Sequence, residues 1–197
     1  MSFRKERKFK MNSSDSLILR SKLLKKGMNT LHPDRMITSQ YFDTKDFESF
    51  RQSEEGILPR KKIRVRWYNN NMQKLTFEEK TSSIEGRFKT SSKIKKIDYD
   101  KLLADGFFHK IYGKINPSVK INYSRSYFEF KKIRITFDSS IIYSFIDGYS
   151  IYRDFDEVVE MKTPIHCSDD YLEKLIDTPV SRFSKYCRAF LIRDNLI

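Results

Sequence analysis

Glycine and proline are scarce, 6 and 5 among 197 residues, and nowhere do they gather with serine into a linker. That excludes a chain divided by flexible spacers, and a single domain over residues 1–197 is expected. Cysteine occurs only at Cys167 and Cys187, a pair that makes neither a disulfide framework nor a metal-ligand spacing, so both read as reduced thiols. No run of 18 apolar residues exists, which excludes a membrane-spanning helix, and the opening MSFRKERKFK lacks the apolar core of a signal peptide. A soluble, cytoplasmic protein is expected. There is no repeat, no low-complexity stretch, and no zinc-finger, helix-turn-helix or RNP-like segment. The three histidines, His32, His109 and His166, sit beside turn-forming residues and read as surface groups. Acidic residues are in deficit, 26 against 39 Lys plus Arg, a formal net charge of +13. An anionic partner is implied, and nucleic acid, an acidic membrane surface and phosphate-rich small molecules all satisfy that charge.

What is present is a β-rich pattern with short helices. Apolar spacing predicts helices over 13–26, 46–54, 98–104, 168–176 and 183–193, the first with Ser14 or Asp15 as N-cap and Gly27 beyond its end. Alternation predicts strands over 37–43, 60–69, 74–80, 84–90, 119–130, 133–138, 141–146 and 156–163. The segment RKKIRVRWY, residues 60–68, sets Ile63, Val65 and Trp67 on one face and Lys62, Arg64, Arg66 and Tyr68 on the other. Similar division recurs: Thr76, Glu78 and Lys80 share a face, as do Arg134, Thr136 and Asp138, Glu160 and Lys162, and Tyr123 and Arg125. Glu6 and Lys8 join them if the N-terminus is extended. By pattern alone these faces fit either a ligand-lined interior or a solvated exterior. Cations turned inward need an anion, because buried unpaired charge is costly.

The segments Glu6-Arg7-Lys8-Phe9, Tyr41-Phe42-Asp43-Thr44, Arg64-Val65-Arg66-Trp67-Tyr68, Phe77-Glu78-Glu79-Lys80, Tyr123-Ser124-Arg125, Arg134-Ile135-Thr136-Phe137-Asp138, Val159-Glu160-Met161-Lys162 and Phe183-Ser184-Lys185-Tyr186 stand in the order seen in the polyphosphate polymerase domain of the vacuolar transporter chaperone (VTC) family. The sequence resembles that family from Arg4 to about Phe190. The family belongs to the triphosphate tunnel metalloenzymes, so the resemblance implies an α+β fold: a closed antiparallel β-barrel with short helices packed outside.

The resemblance further implies a metal-dependent polymerase that transfers the ATP γ-phosphate to a growing inorganic polyphosphate chain and releases ADP. A tunnel phosphohydrolase of tripolyphosphate or nucleoside triphosphates, and a non-catalytic polyanion binder, are the alternatives. By matching positions, Lys8, Arg64, Arg66, Lys80, Arg125, Arg134 and Lys185 resemble the family's phosphate ligands, with Tyr123 and Ser184 as hydroxyl donors and Lys89 and Lys162 as further lumen residues. Guanidinium forks suit such a role, since each can bond two phosphate oxygens. Glu160 matches the family's metal-binding glutamate, with Glu6 and Glu78 as further ligands of Mn²⁺ or Mg²⁺. Asp138 is expected to fix an arginine or to join the site, and Asp43 to cap a turn. ATP, polyphosphate and pyrophosphate are the implied partners, without specific nucleic acid. Hydrolytic tunnel proteins usually open with Glu-x-Glu-x-Lys; Arg4, Glu6 and Lys8 stand here, which favours the polymerase branch. The regulatory SPX domain and transmembrane helices of eukaryotic polymerase subunits are not in this sequence, so a free-standing soluble domain is expected.

Overall fold

The alternating segments fold as strands in the structure, a computed structural model that describes residues 4–146, 150–164 and 166–197. The elements are β1 (Arg4–Asn12), α1 (Ser13–Lys25), β2 (Asn29–Asp43), α2 (Glu48–Glu55), β3 (Arg60–Tyr68), β4 (Leu75–Ser83), β5 (Gly86–Ile94), α3 (Lys96–Asp105), β6 (Phe107–His109), β7 (Gly113–Phe130), β8 (Ile133–Phe145), β9 (Ile151–Arg153), β10 (Asp156–Pro164), α4 (Asp169–Ile176) and α5 (Lys185–Arg193). This is an α+β fold. The sheet runs β1-β10-β8-β7-β2-β3-β4-β5, with β6 on β7 and β9 on β8. Pairing is antiparallel between β1 and β10, β10 and β8, and through β2, β3, β4 and β5.

The expected closed barrel is not formed: among the described residues no pairing joins β1 to β5, and the sheet is open. Irregular chain meets the outer edge of β1 instead. The Ser181 N–H donates to the Lys8 carbonyl at 2.8 Å, and the Lys10 N–H donates to the Ser181 hydroxyl at 2.9 Å. Those bonds occupy positions that a closing strand would need.

The chain forms two compact units. The first comprises Met1–Arg35, Tyr123–Ile141 and Arg153–Ser184. Its core joins Phe9 and Met11, Val159 and Met161, and Ile133, Ile135 and Phe137 to Leu19 and Leu23 of α1 and Leu172 and Ile176 of α4. Each such side chain contributes about 1.5–3 kcal/mol on burial. Asn12 caps α1, its amide oxygen accepting from the Asp15 N–H at 2.8 Å, where Ser14 or Asp15 had been expected to cap.

The second unit comprises Met36–Asn122, Ile142–Tyr152 and Lys185–Ile197. Ile63, Val65 and Trp67 pack there with Phe42, Leu75 and Ile115 under α3, and Tyr99 meets Trp67 edge-on at 5.5 Å. Gly106 ends α3 at φ +62°, and a Cβ there would lie 2.4 Å from the Ile115 carbonyl oxygen. Only glycine allows β6 to begin so close to β7.

Several expectations are corrected. Ile84 is not a strand residue but part of the β4–β5 turn, where Ser83 pairs with Gly86. Residues 133–138 and 141–146 are not separate strands; β8 runs through them, with Ser140 at φ 52°. His109 is buried, not a surface group, because its Nε2 meets the Glu79 carboxylate at 3.2 Å and its Nδ1 accepts backbone N–H bonds from Ile111 and Tyr112.

Candidate phosphate-binding faces

In the second unit, antiparallel register sets polar side chains of β3, β4 and β5 in rows. Lys62, Lys80 and Lys89 stand opposite one another; next come Arg64, Glu78 and Ser91, then Arg66, Thr76 and Lys93. On β2, Tyr41 lies opposite Arg64 and Ser39 opposite Arg66. Like charges directly opposed on neighbouring strands repel, so the lysine row favours an anion.

Partners fix the arginines of this face. Arg64 donates through Nε to Glu78 Oε2 at 2.7 Å and through Nη1 to the Tyr41 hydroxyl at 2.8 Å, while Lys89 donates to Glu78 Oε1 at 2.9 Å. Arg66 Nε donates to the Ser39 hydroxyl at 3.0 Å. Burial pushes the Glu78 carboxyl up, but Arg64, Arg66 and Lys89 outweigh it and hold it at about 2. Burial likewise raises the Tyr41 phenol, and Arg64, Arg66 and Lys62 bring it down to about 8.

The Tyr41 ring stacks on Tyr186 at 4.8 Å, and the Tyr186 hydroxyl donates to Asp43. Asp43 also accepts N–H bonds from Thr44, Ser49 and Phe50 at 2.8, 2.9 and 3.1 Å, so it caps the entry to α2 as expected of a turn residue. Burial pushes its carboxyl up. Lys185 opens α5 beside Tyr186 and is half-buried.

In the first unit the polar face is built from β1, β10, β8 and β7. Register sets Glu6 opposite Lys162 and Arg134, and Lys8 opposite Glu160 and Thr136. Tyr123 and Arg125 come from β7. Arg125 grips Asp138 with two donors, Nη2 at 2.6 Å, and its Nη2 lies 3.9 Å from Glu160. Lys162 Nζ stands 3.3 Å from Glu160 and 3.9 Å from Glu6. Lys8 lies 3.7 Å from Glu6 and donates to the Phe183 carbonyl at 2.9 Å. Burial raises the Glu160 carboxyl, but Arg125, Lys8 and Lys162 hold it below the usual carboxylate range. Arg125, Arg134, Thr136, Glu160 and Lys162 line a cleft of about 10 Å³, and Arg134 Nε and Thr136 Oγ1 are buried without a partner. Ser184, half-buried, directly precedes α5.

Among the described residues no three His, Cys, Asp or Glu side chains gather as a metal site. Glu6 and Glu160 nevertheless both approach the Lys162 ammonium, so one cation position already lies between two carboxylates. Such a pair fits Mg²⁺ or Mn²⁺ when the remaining ligands are phosphate oxygens and water. Glu78 differs, since both its oxygens are taken by Arg64 and Lys89. The side chain of Arg4 lies outside the described residues.

Sequence reasoning passed over Tyr41 and Tyr127 as site residues. Tyr127 shares strand parity with Arg125, is buried, and carries the Arg134 guanidinium over its ring at 5.6 Å. Period two extended by one step along β7 would have found it.

A candidate adenylate cyclase from Bacillus halodurans has a similar fold, with TM-score 0.64, 17% identity and coverage of 95% of this chain and 97% of that one. A candidate adenylyl cyclase from Hippeastrum, described as having a dominant triphosphatase activity, gives 0.60 and 14% over 98% and 96%. A Pyrococcus horikoshii protein gives 0.57 and 15% over 96% and 99%. No curated protein matches this chain. The family model described as the VTC domain matches residues 3–192, through the cation-bearing strands of both units, and the chain belongs to the VTC domain family.

Proposed function

We propose that this chain is a metal-dependent polyphosphate polymerase, one functional domain that moves the γ-phosphoryl group of ATP onto the end of an inorganic polyphosphate chain. The observation that carries this reading is the pairing of the buried Glu78 and Glu160 each with several cations on strand faces within a VTC match of residues 3–192. A terminal phosphate oxygen attacks the γ-phosphorus, and the bond to the ADP oxygen breaks. The nucleophile is already anionic, so no protein base is needed. The residues must instead align two polyanions and offset the charge that develops on ADP. Arg64, Arg66, Lys80, Lys89 and Lys185 are assigned to the phosphate oxygens from the second unit. Lys8, Arg125, Arg134, Lys162, Tyr123 and Ser184 are assigned from the first. Glu78 and Asp138 hold Arg64 and Arg125 in place, and pre-ordered guanidinium groups lose less freedom when substrate arrives. Glu160, with Glu6, would hold the Mn²⁺ or Mg²⁺ ion, which supplies further positive charge at the transferring phosphoryl group. Barrel closure is not required by this assignment.

Incubation of the pure protein with ATP and Mn²⁺, followed by a gel that resolves polyphosphate, tests the reading. Long-chain product together with ADP is expected. The fold shared with a protein described as a triphosphatase favours hydrolysis as the second reading, and orthophosphate as the sole phosphate product would select it.

A further inference from the structure

The β6–β7 hairpin of the second unit carries two large apolar side chains into solvent: Phe108 is 80% exposed and Ile111 57%. Single exposed apolar groups are ordinary on a protein surface. These two differ because buried groups hold the backbone that presents them. His109 turns into the protein, where its Nδ1 accepts the N–H groups of Ile111 and Tyr112, both at 3.3 Å. An accepting Nδ1 leaves the proton on Nε2, which donates to Glu79 at 3.2 Å, and Glu79 is paired in turn with Lys61. The Tyr112 hydroxyl donates to Gln52 Oε1 at 2.9 Å and accepts the Lys61 N–H at 2.8 Å. The turn is therefore pinned to β3, β4 and α2. Register sets Phe108 opposite Lys114 and His109 opposite Gly113. Gly113, at φ 68°, has no side chain to cover the ring.

Cations flank the exposed pair. Lys110, exposed, stands between Phe108 and Ile111 in the chain, and Lys114 shares the face of Phe108. Lys114 donates to the Asp105 carbonyl, a neutral partner that leaves its positive charge in place. A rigid tip with two apolar side chains and two cations fits an acidic lipid surface. The apolar groups enter the boundary below the headgroups, and the ammonium groups stay level with the lipid phosphates. A nucleic acid would stack on the phenyl ring but offers Ile111 no contact. A protein partner needs a pocket for each apolar group at a fixed spacing, whereas a fluid acidic surface needs none. The net charge of +13 draws the chain toward such a surface.

We propose that the β6–β7 hairpin is a membrane-docking element, which seats Phe108 and Ile111 in an anionic lipid surface with Lys110 and Lys114 on the headgroups. The polar strand faces take no part in this contact, and docking needs no nucleotide, metal or polyphosphate. Because the tip is already ordered, docking costs little conformational freedom.

The test is sedimentation of the full chain with vesicles of phosphatidylcholine alone and of equal parts phosphatidylcholine and phosphatidylserine. Binding to the mixed vesicles is expected, weaker on phosphatidylcholine and weaker in high salt. Phe108→Ser keeps the net charge and removes the larger apolar contact, so it should weaken binding on the order of tenfold with an unchanged melting midpoint. Lys110→Gln with Lys114→Gln should weaken binding and flatten its salt dependence. In Phe108→Trp binding should persist, and the added indole should shift its emission to the blue on the mixed vesicles. If Phe108→Ser binds the mixed vesicles as tightly as the unaltered chain, net charge alone causes adhesion and the hairpin is not a docking element. Absence of binding by the unaltered chain overturns the assignment as well. So does self-association without lipid that Phe108→Ser abolishes, which would give the hairpin to a second copy.

Discussion

Glu160 and Glu78 are both buried carboxylates among cations, yet they are assigned different work. Glu78 gives each oxygen to a cation and so orients Arg64 and Lys89. Glu160 stands farther from its partners, at 3.3 and 3.9 Å, and faces the cleft. Glu160→Gln should therefore keep the fold, by circular dichroism, and most phosphate-chain affinity, while turnover drops by on the order of a hundredfold. Tyr41 offers a test by pH. Its folded-state value of about 8 lies below the ordinary 10, so the folded protein releases this proton first. The stability it contributes is complete above about pH 10 and is lost as pH falls through 8. Ultraviolet difference titration should show one phenol ionising near pH 8, absent in Tyr41→Phe. Bound tripolyphosphate, by neutralising Arg64 and Arg66, should move that step upward. A titration with no early phenol would contradict the contact with Arg64.

At the scale of elements, Asp43 joins β2 to α2 and α5. Asp43→Ala would strand three N–H groups and the Tyr186 hydroxyl, at a cost of about 2–4 kcal/mol from lost capping and an unsatisfied buried donor. Asp43→Asn keeps an oxygen for the N–H groups and should cost less; urea midpoints measure both. That capping role was legible because an aspartate at a strand end before a helix has few other uses. The two-faced strands were legible too, since period two is local. Ile63, Val65 and Trp67 fell in the core as alternation requires. What alternation cannot supply is the partner of a strand edge. The Ser181 bonds to β1 and the burial of His109 against Glu79 depend on residues distant in sequence, and β6 and β9, at three residues each, are too short for alternation to register. The family resemblance supplied most of the site assignment, while strand parity independently set Arg64, Arg66, Arg125 and Arg134 on polar faces.

For the whole molecule, a net charge of +13 leaves many cations repelling one another until an anion binds. Tripolyphosphate at about a hundred times its dissociation constant should stabilise the fold by roughly 2.7 kcal/mol. For a chain of this size that raises the melting midpoint by about 5–11 °C. Duplex DNA binds by counterion release, so any shift it gives should fade steeply with salt. Arg64→Ala with Arg66→Ala should remove most of the tripolyphosphate shift and leave the DNA response.

The most direct test follows the γ-phosphate itself. Full-length protein, Mn²⁺ and ATP labelled at the γ position are incubated, and the label is divided among ATP, polymer and orthophosphate. The polymerase reading predicts that label leaving ATP appears in polyphosphate, one phosphate incorporated for each ADP formed, and that Glu160→Gln suppresses both together. Label found wholly in orthophosphate, with no polymer even after a pyrophosphate primer is added, would contradict it.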